Sequence, residues 1–358
     1  MGAALALAGR ALGNAAPNPA VGCVIVRRDK VVGRGWTQPG GRPHAESEAL
    51  RRAGDGARGA RAYVTLEPCA HHGRTPPCAE ALIAAGISRC VVALEDPDPR
   101  VAGRGLARLR EAGIEVVTGP GAAAAAELNA GYLLRQREGR PLVTLKLATT
   151  LDGRIATKRG VSQWITGAPA RAYAHLLRAR HDAVMVGRGT AVADNPRLDV
   201  RLPGLEAAPV RIVLDGRLRL PLTHDLVARA KTRPTWLVTR AGVEALRLHA
   251  YEDAGVEIIT VAEDGDGHIS LRDALQALGA RGLTRVLAEG GGRVAAGLLR
   301  LGLVDRAVWF HGPKVIGGDG IAAVTGFGVE ALEDAPVFVP RTTARIGDDL
   351  VETYVRRD

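Results

Sequence analysis

Apolar and polar positions alternate in short blocks along this chain, and the blocks change character near residue 140. Residues 2–13 are rich in Ala and Leu and predict a helix, which Pro17-Asn18-Pro19 ends. Apolar runs at 21–26 and 31–36 predict two strands, joined by a turn around Arg28-Asp29. A helix is expected from His44 to about Ala53, then a strand at 63–66. Pro76 and Pro77 suit the first turn of a helix over about 76–86. A strand at 90–94, a helix near 103–112 and a short strand at 114–117 follow. Gly119-Pro120-Gly121 then opens an Ala-rich helix. Residues 135–141 are polar and lack an apolar period, so a boundary is placed near Arg140, dividing the chain into domains 1–140 and 141–358.

Beyond that boundary strand and helix patterns alternate. Strands are expected at 142–147, 183–186, 210–214, 235–238, 256–260, 285–288 and 306–310, with a final edge strand at 350–355. Helices are expected near 169–180, 242–254, 270–280 and 293–301. Such alternation predicts a largely parallel α/β sheet. No internal repeat is evident.

Length and composition fit two domains, each able to bury a core. Only 3% of the 358 residues are aromatic, so Val, Leu, Ile and Ala must fill those cores. No apolar run approaches the roughly 20 residues needed to span a bilayer. The apolar N-terminus lacks a basic leader and reads as a first helix rather than a secretory signal. The net charge of +10 raises nucleic-acid binding. The excess is dispersed, however: residues 1–140 carry 19 basic and 13 acidic side chains and the remainder 29 and 25. No row of stacking aromatics accompanies it. A solvated surface, with positive pockets for phosphorylated small molecules, is the reading adopted. Cys23 and Cys90 sit in apolar strand-like runs as small buried thiols. The four cysteines suggest no disulfide framework, and a cytoplasmic location is expected.

His44-Ala45-Glu46, Pro68-Cys69 and Cys78 carry candidate chemistry. One imidazole and two thiols form a three-ligand Zn2+ set, the catalytic rather than the structural arrangement. Zinc in such a site lowers the pKa of a bound water to about 7. Glu46, two residues after the His, is placed to move protons. The zinc nucleobase deaminase pattern is H-x-E followed by P-C-x-x-C. Here the two cysteines are separated by eight residues instead of two. Both segments fall at or near predicted helix starts, where the helix dipole favours thiolate. A second constellation is Glu289-Gly290-Gly291-Gly292-Arg293, a glycine run between a strand and a helix. Glycines there let backbone N–H groups approach phosphate, although a plain tight turn reads the same way.

The stretch from Thr65 to Cys78, TLEPCAHHGRTPPC, closely resembles the deaminase half of the bifunctional riboflavin-pathway deaminase–reductase family. Residues 145–154, 162–166 and 187–201 resemble its reductase half. The resemblance runs from about residue 2 to the end. It implies an α/β protein: an N-terminal cytidine-deaminase-like three-layer domain plus a C-terminal dihydrofolate-reductase-like domain that uses NADPH. It implies zinc ligation by His44, Cys69 and Cys78, with Glu46 as proton shuttle. Asn18 and Arg74 align with positions contacting substrate sugar or phosphate. In the second half Ala148, Trp164, Thr190, Asp194 and the segment Gly291, Gly292, Arg293, Val294, Ala295, Ala296 and Gly297 match cofactor positions. Ser162, Arg178, Leu198, Arg201 and Glu289 match substrate positions, and Lys146 lies where an amine would reach the ribose. Arg178 and Arg201 suit a phosphate clamp.

The implied reactions are hydrolytic removal of the 2-amino group of 2,5-diamino-6-ribosylamino-4(3H)-pyrimidinone 5′-phosphate and reduction of the ribosyl chain to ribityl. The product would be 5-amino-6-(5-phosphoribitylamino)uracil. The expected partner is this phosphorylated pyrimidine, with no nucleic acid or membrane, and a homo-oligomer is expected. Two departures stand out. Gly35-Trp36-Thr37 occurs where relatives commonly read G-x-H, so a substrate contact is lost or made differently. The chain also starts at Met1 where relatives carry several more residues, so either a short first helix or a misassigned start is expected. A nucleic-acid-editing deaminase shares the zinc pattern but leaves the second half unexplained. A non-catalytic zinc-stabilised binding protein leaves Glu46 unexplained.

Overall fold

The strand blocks between residues 21 and 36 form an antiparallel pair, β1 (Gly22–Arg27) and β2 (Lys30–Trp36). Arg28 and Asp29 both adopt positive φ in the connecting turn, the conformation that matches the twist of a two-residue hairpin. The computed structural model describes residues 1–71 and 76–357. The chain divides into two compact units, Met1–Gly139 and Arg140–Asp358.

In the first unit β3 (Arg61–Val64), β4 (Arg89–Val92) and β5 (Glu115–Thr118) complete a sheet of order β2-β1-β3-β4-β5. The β1 pairings are antiparallel, and β3-β4-β5 run parallel. Its helices are α1 (Gly2–Ala8), α2 (Ala45–Ala53), α3 (Cys78–Ala84), α4 (Arg104–Glu111), α5 (Ala122–Leu128) and α6 (Ala130–Glu138). Glycines show how closely helices approach both faces of the sheet. A Cβ on Gly22 would strike the Ala4 carbonyl of α1, and one on Gly35 the Ala45 carbonyl of α2. Gly22 pairs with Trp36 and Cys23 with Gly35, so these two glycines point to opposite faces. The unit is therefore three layers. The face under α2 is filled by Cys23, Ile25, Val64, Leu66, Leu82, Cys90 and Val92.

In the second unit the strands are β6 (Leu142–Thr149), β7 (Arg154–Ala156), β8 (Ala183–Gly187), β9 (Val210–Leu214), β10 (Thr235–Arg240), β11 (Glu257–Val261), β12 (Arg285–Ala288), β13 (Arg306–His311), β14 (Ile321–Ala322), β15 (Phe338–Ile346) and β16 (Asp349–Arg356). Nine of these form one sheet, β11-β10-β9-β8-β12-β6-β13-β16-β15, whose first seven run parallel. The intervening helices are α7 (Ala168–Ala179), α8 (Arg188–Asp194), α9 (Asp225–Ala228), α10 (Ala245–Asp253), α11 (Leu271–Ala280) and α12 (Gly292–Arg300). Met185 faces one core with Ile212, while Val184 and Val186 face another with Val213 and Leu237. Burial on both faces explains why these strands read as unbroken apolar runs.

Three expectations need correction. The first helix ends at Ala8 and continues only as a short 3₁₀ turn, Gly9–Ala11. Pro76 and Pro77 precede α3 rather than opening it, because Pro77 is extended at the N-cap. The strand at 350–355 is not an edge. It lies between β13 and β15, and β15 escaped notice because most of its residues are exposed and no apolar alternation marks it.

Candidate active sites

His44 ends an extended segment as the N-cap of α2, and Glu46 lies in the first turn of that helix. Cys69 follows β3 in a loop, and Cys78 is the first residue of α3. These elements bring the three ligand atoms within 4.8 Å of one another. His44 Nδ1 lies 3.3 Å from Cys78 Sγ and 3.7 Å from Cys69 Sγ. The Cys78 amide donates to Cys69 Sγ at 3.3 Å. Hydrogen bonding from Cys78, with further help from His44, pulls the Cys69 thiol down to about 4 despite burial. Cys78 is pushed up in return, since it holds the proton the pair shares. A nitrogen and two sulfurs, one already favouring thiolate, fit a zinc ion.

Glu46 is 3% exposed, so its charged form has lost most of its water. Burial raises its carboxyl to about 7, opposed by the charge of His44. A carboxyl so poised exchanges a proton near neutral pH. Asn18 donates through Nδ2 to the Gly41 carbonyl at 2.8 Å, which ties its loop to the segment before His44. Arg74 lies outside the described residues. Thr37 is buried: its hydroxyl donates to the Pro19 carbonyl and accepts from the Val21 amide, both at 3.0 Å. It extends the β1–β2 pairing.

The second constellation assembles where parallel strands end, the usual ligand position in such sheets. A Cβ on Gly290 would lie 2.7 Å from the Gly187 amide and 2.9 Å from Val186 Cα. Only glycine lets the loop after β12 touch the end of β8. The contact brings Gly291 to Thr190, whose Oγ1 accepts its N–H at 2.9 Å. Gly292 opens α12 with Arg293 exposed beside it. Val294 packs against the core, Ala295 and Ala296 are buried, and Gly297 backs onto Leu271. Gly292 is itself buried, since a Cβ there would lie 3.1 Å from the Ala322 carbonyl and 3.2 Å from that of Ala323, and Asp194 closes the neighbouring α8.

Arg178 Nε and Nη2 donate to the two oxygens of Glu289 at 2.6 and 2.9 Å, and Nη1 to the Asp199 carbonyl. Three of the five N–H donors of Arg178, the residue expected in a phosphate clamp, are engaged by these contacts, and one N–H on each Nη is left over. Arg201 remains 59% exposed with Asp199 3.7 Å away. Burial raises the Glu289 carboxyl, but the Arg178 and Lys146 charges more than offset it and hold it at about 2. Desolvation lowers the Lys146 amine, which lies 5.3 Å from the Phe310 ring centre. Ala148 packs near the same ring. Leu198 has φ +51° and its side chain is buried in the core. Trp164 is exposed and carries Arg171 over its ring at 4.4 Å. Ser162 is partly exposed in the same loop. Asp152 accepts from the Ile316 and Gly317 amides and was overlooked as a loop clamp, although Asp-Gly marked a turn.

Two family models match the chain: the cytidine and deoxycytidylate deaminase zinc-binding region over residues 1–94, and the RibD C-terminal domain over residues 141–350. The riboflavin biosynthesis protein RibD of Escherichia coli is 41% identical over 355 residues, covering 98% of this chain and 96% of that protein. That of Bacillus amyloliquefaciens is 40% identical, covering 100% and 96%. Among solved structures, Acinetobacter baumannii RibD superposes with a TM-score of 0.88 at 38% identity, covering 99% of this chain and 97% of that one. A Thermotoga maritima diaminohydroxyphosphoribosylaminopyrimidine deaminase/5-amino-6-(5-phosphoribosylamino)uracil reductase gives 0.86 at 32%, with the same coverage. The architecture is a cytidine-deaminase-like unit followed by a dihydrofolate-reductase-like one. With full-length identity near 40% to several RibD proteins and both domain models matched, this chain belongs to the RibD family: a deaminase and reductase of riboflavin biosynthesis in one polypeptide, with zinc and NADPH as cofactors.

Proposed function

We propose that residues 1–140 remove the 2-amino group of 2,5-diamino-6-ribosylamino-4(3H)-pyrimidinone 5′-phosphate, and that residues 141–358 reduce the ribosyl chain of the product to ribityl. The observation that carries the reading is the convergence of His44, Cys69 and Cys78 beside a buried Glu46. Zinc held by those three ligands would supply a water activated at neutral pH. Glu46 takes a proton and delivers it to the departing amine. Asn18 and Arg74 hold the ribose phosphate.

In the reductase unit NADPH supplies the hydride when bound. Thr190, Asp194, Gly291, Gly292 and Arg293 receive its phosphates and ribose at the ends of β8 and β12, with Ala148 and Trp164 toward the nicotinamide. Arg201 meets the substrate phosphate. Lys146, fixed beside the Arg178–Glu289 pair, faces the sugar undergoing reduction, with Ser162 and the Leu198 backbone completing the pocket. The enzyme works in the cytoplasm, where its four free cysteines stay reduced. It is a homo-oligomer, and exposed Val337 and Leu350 near the C-terminal hairpin offer apolar area for a second copy.

Glu46→Gln tests the reading, because it keeps the shape and removes the proton carrier. Zinc content should be unchanged and deamination should fall by about 10²–10⁴-fold. Reduction of the deaminated intermediate should continue at the wild-type rate. Deamination within tenfold of wild type would remove Glu46 from the chemistry.

A further inference from the structure

We infer that Glu67 is a positioning residue for the metal-binding loop, tying the Pro68-Cys69 step to the start of α4. The inference rests on the proposed role of Cys69 as a ligand. Glu67 is 4% exposed, and its carboxylate is met by backbone amides. Oε1 accepts from Gly105 at 2.8 Å and Leu106 at 3.2 Å; Oε2 accepts from Gly103 at 3.0 Å and Asp96 at 3.2 Å. Three of these donors belong to the entry and first turn of α4 (Arg104–Glu111), where N–H groups have no helical partner and the helix dipole favours negative charge. The Glu67 amide itself donates to the Leu94 carbonyl at 2.9 Å. Two residues later Cys69 is held from the other side, its carbonyl by the Ala79 amide at 3.2 Å and its sulfur by the Cys78 amide at 3.3 Å.

Between these anchors there is little slack. A Cβ added to Gly105 would run into the Pro68 carbonyl, and it would lie 3.1 Å from Glu67 Oε1. The loop is thus gripped between the starts of two helices, with the thiolate in the grip. A ligand whose support is fixed in advance binds metal more tightly, and outer-shell changes typically weaken metal affinity about 10–100-fold. A role confined to fold stability would lower melting without altering the metal's surroundings.

The test uses the full chain. Zinc affinity is measured by chelator competition in wild type and Glu67→Gln, and the cobalt-substituted proteins are compared by visible absorption. Glu67→Gln should bind zinc about 10–100-fold more weakly, with displaced cobalt bands and an undisturbed reductase rate; Glu67→Asp should recover part of the affinity. A folded Glu67→Gln protein with unchanged affinity and spectrum overturns the inference. Should that variant not fold, wild-type hydrogen exchange decides: stripping zinc should speed exchange at the Gly105 and Leu106 amides, and unchanged protection there overturns the coupling. Cys69→Ser separates the two levels. If it keeps its zinc, the ligand assignment fails; if it loses zinc while Glu67 variants behave as wild type, only the positioning role fails.

Discussion

The two sites of this chain are built by different means. In the first unit an imidazole, two thiols and a carboxyl come from two helix starts and one loop, and the three ligand atoms lie close enough to hold one metal. In the second unit the candidate residues lie on or just after β6 and β12, on α7, α8 and α12, and in the loops that hold Ser162, Trp164, Leu198 and Arg201. A bidentate, largely shielded ion pair there, Arg178 with Glu289, joins residues 111 positions apart. A metal centre localises its chemistry, so losing one ligand should remove the site and leave the fold. A site made from sheet ends shares its residues with the core, so disturbing it should unsettle the unit as well.

The largest effect that would break this contrast is on metal content. Native mass spectrometry should find about one zinc per wild-type chain and close to none in Cys69→Ser. NADPH-dependent reduction should be retained in that variant. Loss of both activities together would mean that the metal supports the whole chain rather than one site.

Arg178→Met probes the other half of the contrast. It leaves Glu289 charged and buried without its main partner, and breaking such a pair costs roughly 3–5 kcal/mol. The second unit should melt earlier, with zinc content unchanged. Arg178→Met combined with Glu289→Leu should recover much of the stability. Should Arg178→Met lower reduction without lowering the melting temperature, the pair would belong to the chemistry alone.

The smallest effect concerns pH and has opposite signs in the two units. Burial lowers His181 to about 3, and its Nδ1 lies 2.7 Å from the Leu177 carbonyl and Nε2 2.9 Å from Thr144 Oγ1. Unfolded histidine takes a proton below about 6.5 while the folded ring does not, so the second unit loses stability as pH falls from about 6.5 towards 3. Between pH 7 and 5 the loss is roughly 2 kcal/mol. In the first unit burial raises Asp96 to about 6, even though Tyr132 donates to it. Its contribution is present at acid pH and is lost as pH rises through about 6. Hydrogen exchange at pH 5 and 7 should therefore move the two units in opposite directions, and His181→Gln should flatten the response of the second alone. Parallel responses in the wild type would show that other groups govern both slopes.

How much of this was legible beforehand depends on the range of the signal. His44, Glu46, Cys69 and Cys78 were readable because ligand chemistry is a property of residue type, and each segment carries its own helix-start marks. The parallel sheet was readable because two-sided burial leaves unbroken apolar runs, as in Ala183–Gly187. The exposed strand Phe338–Ile346 and the short helix Arg188–Asp194 left no comparable pattern. Nor did the sequence announce that Arg178 would pair with Glu289, or that Thr37 would close a strand pair. Glu67 reads locally as one more charged residue, yet its four amide partners lie 29 to 39 positions away. Residue type and periodicity act over a few neighbours and sufficed for the elements and the metal chemistry. The partner of a buried charge is chosen by which distant amides or guanidinium the packed sheet brings within about 3 Å, because only there is the loss of water repaid.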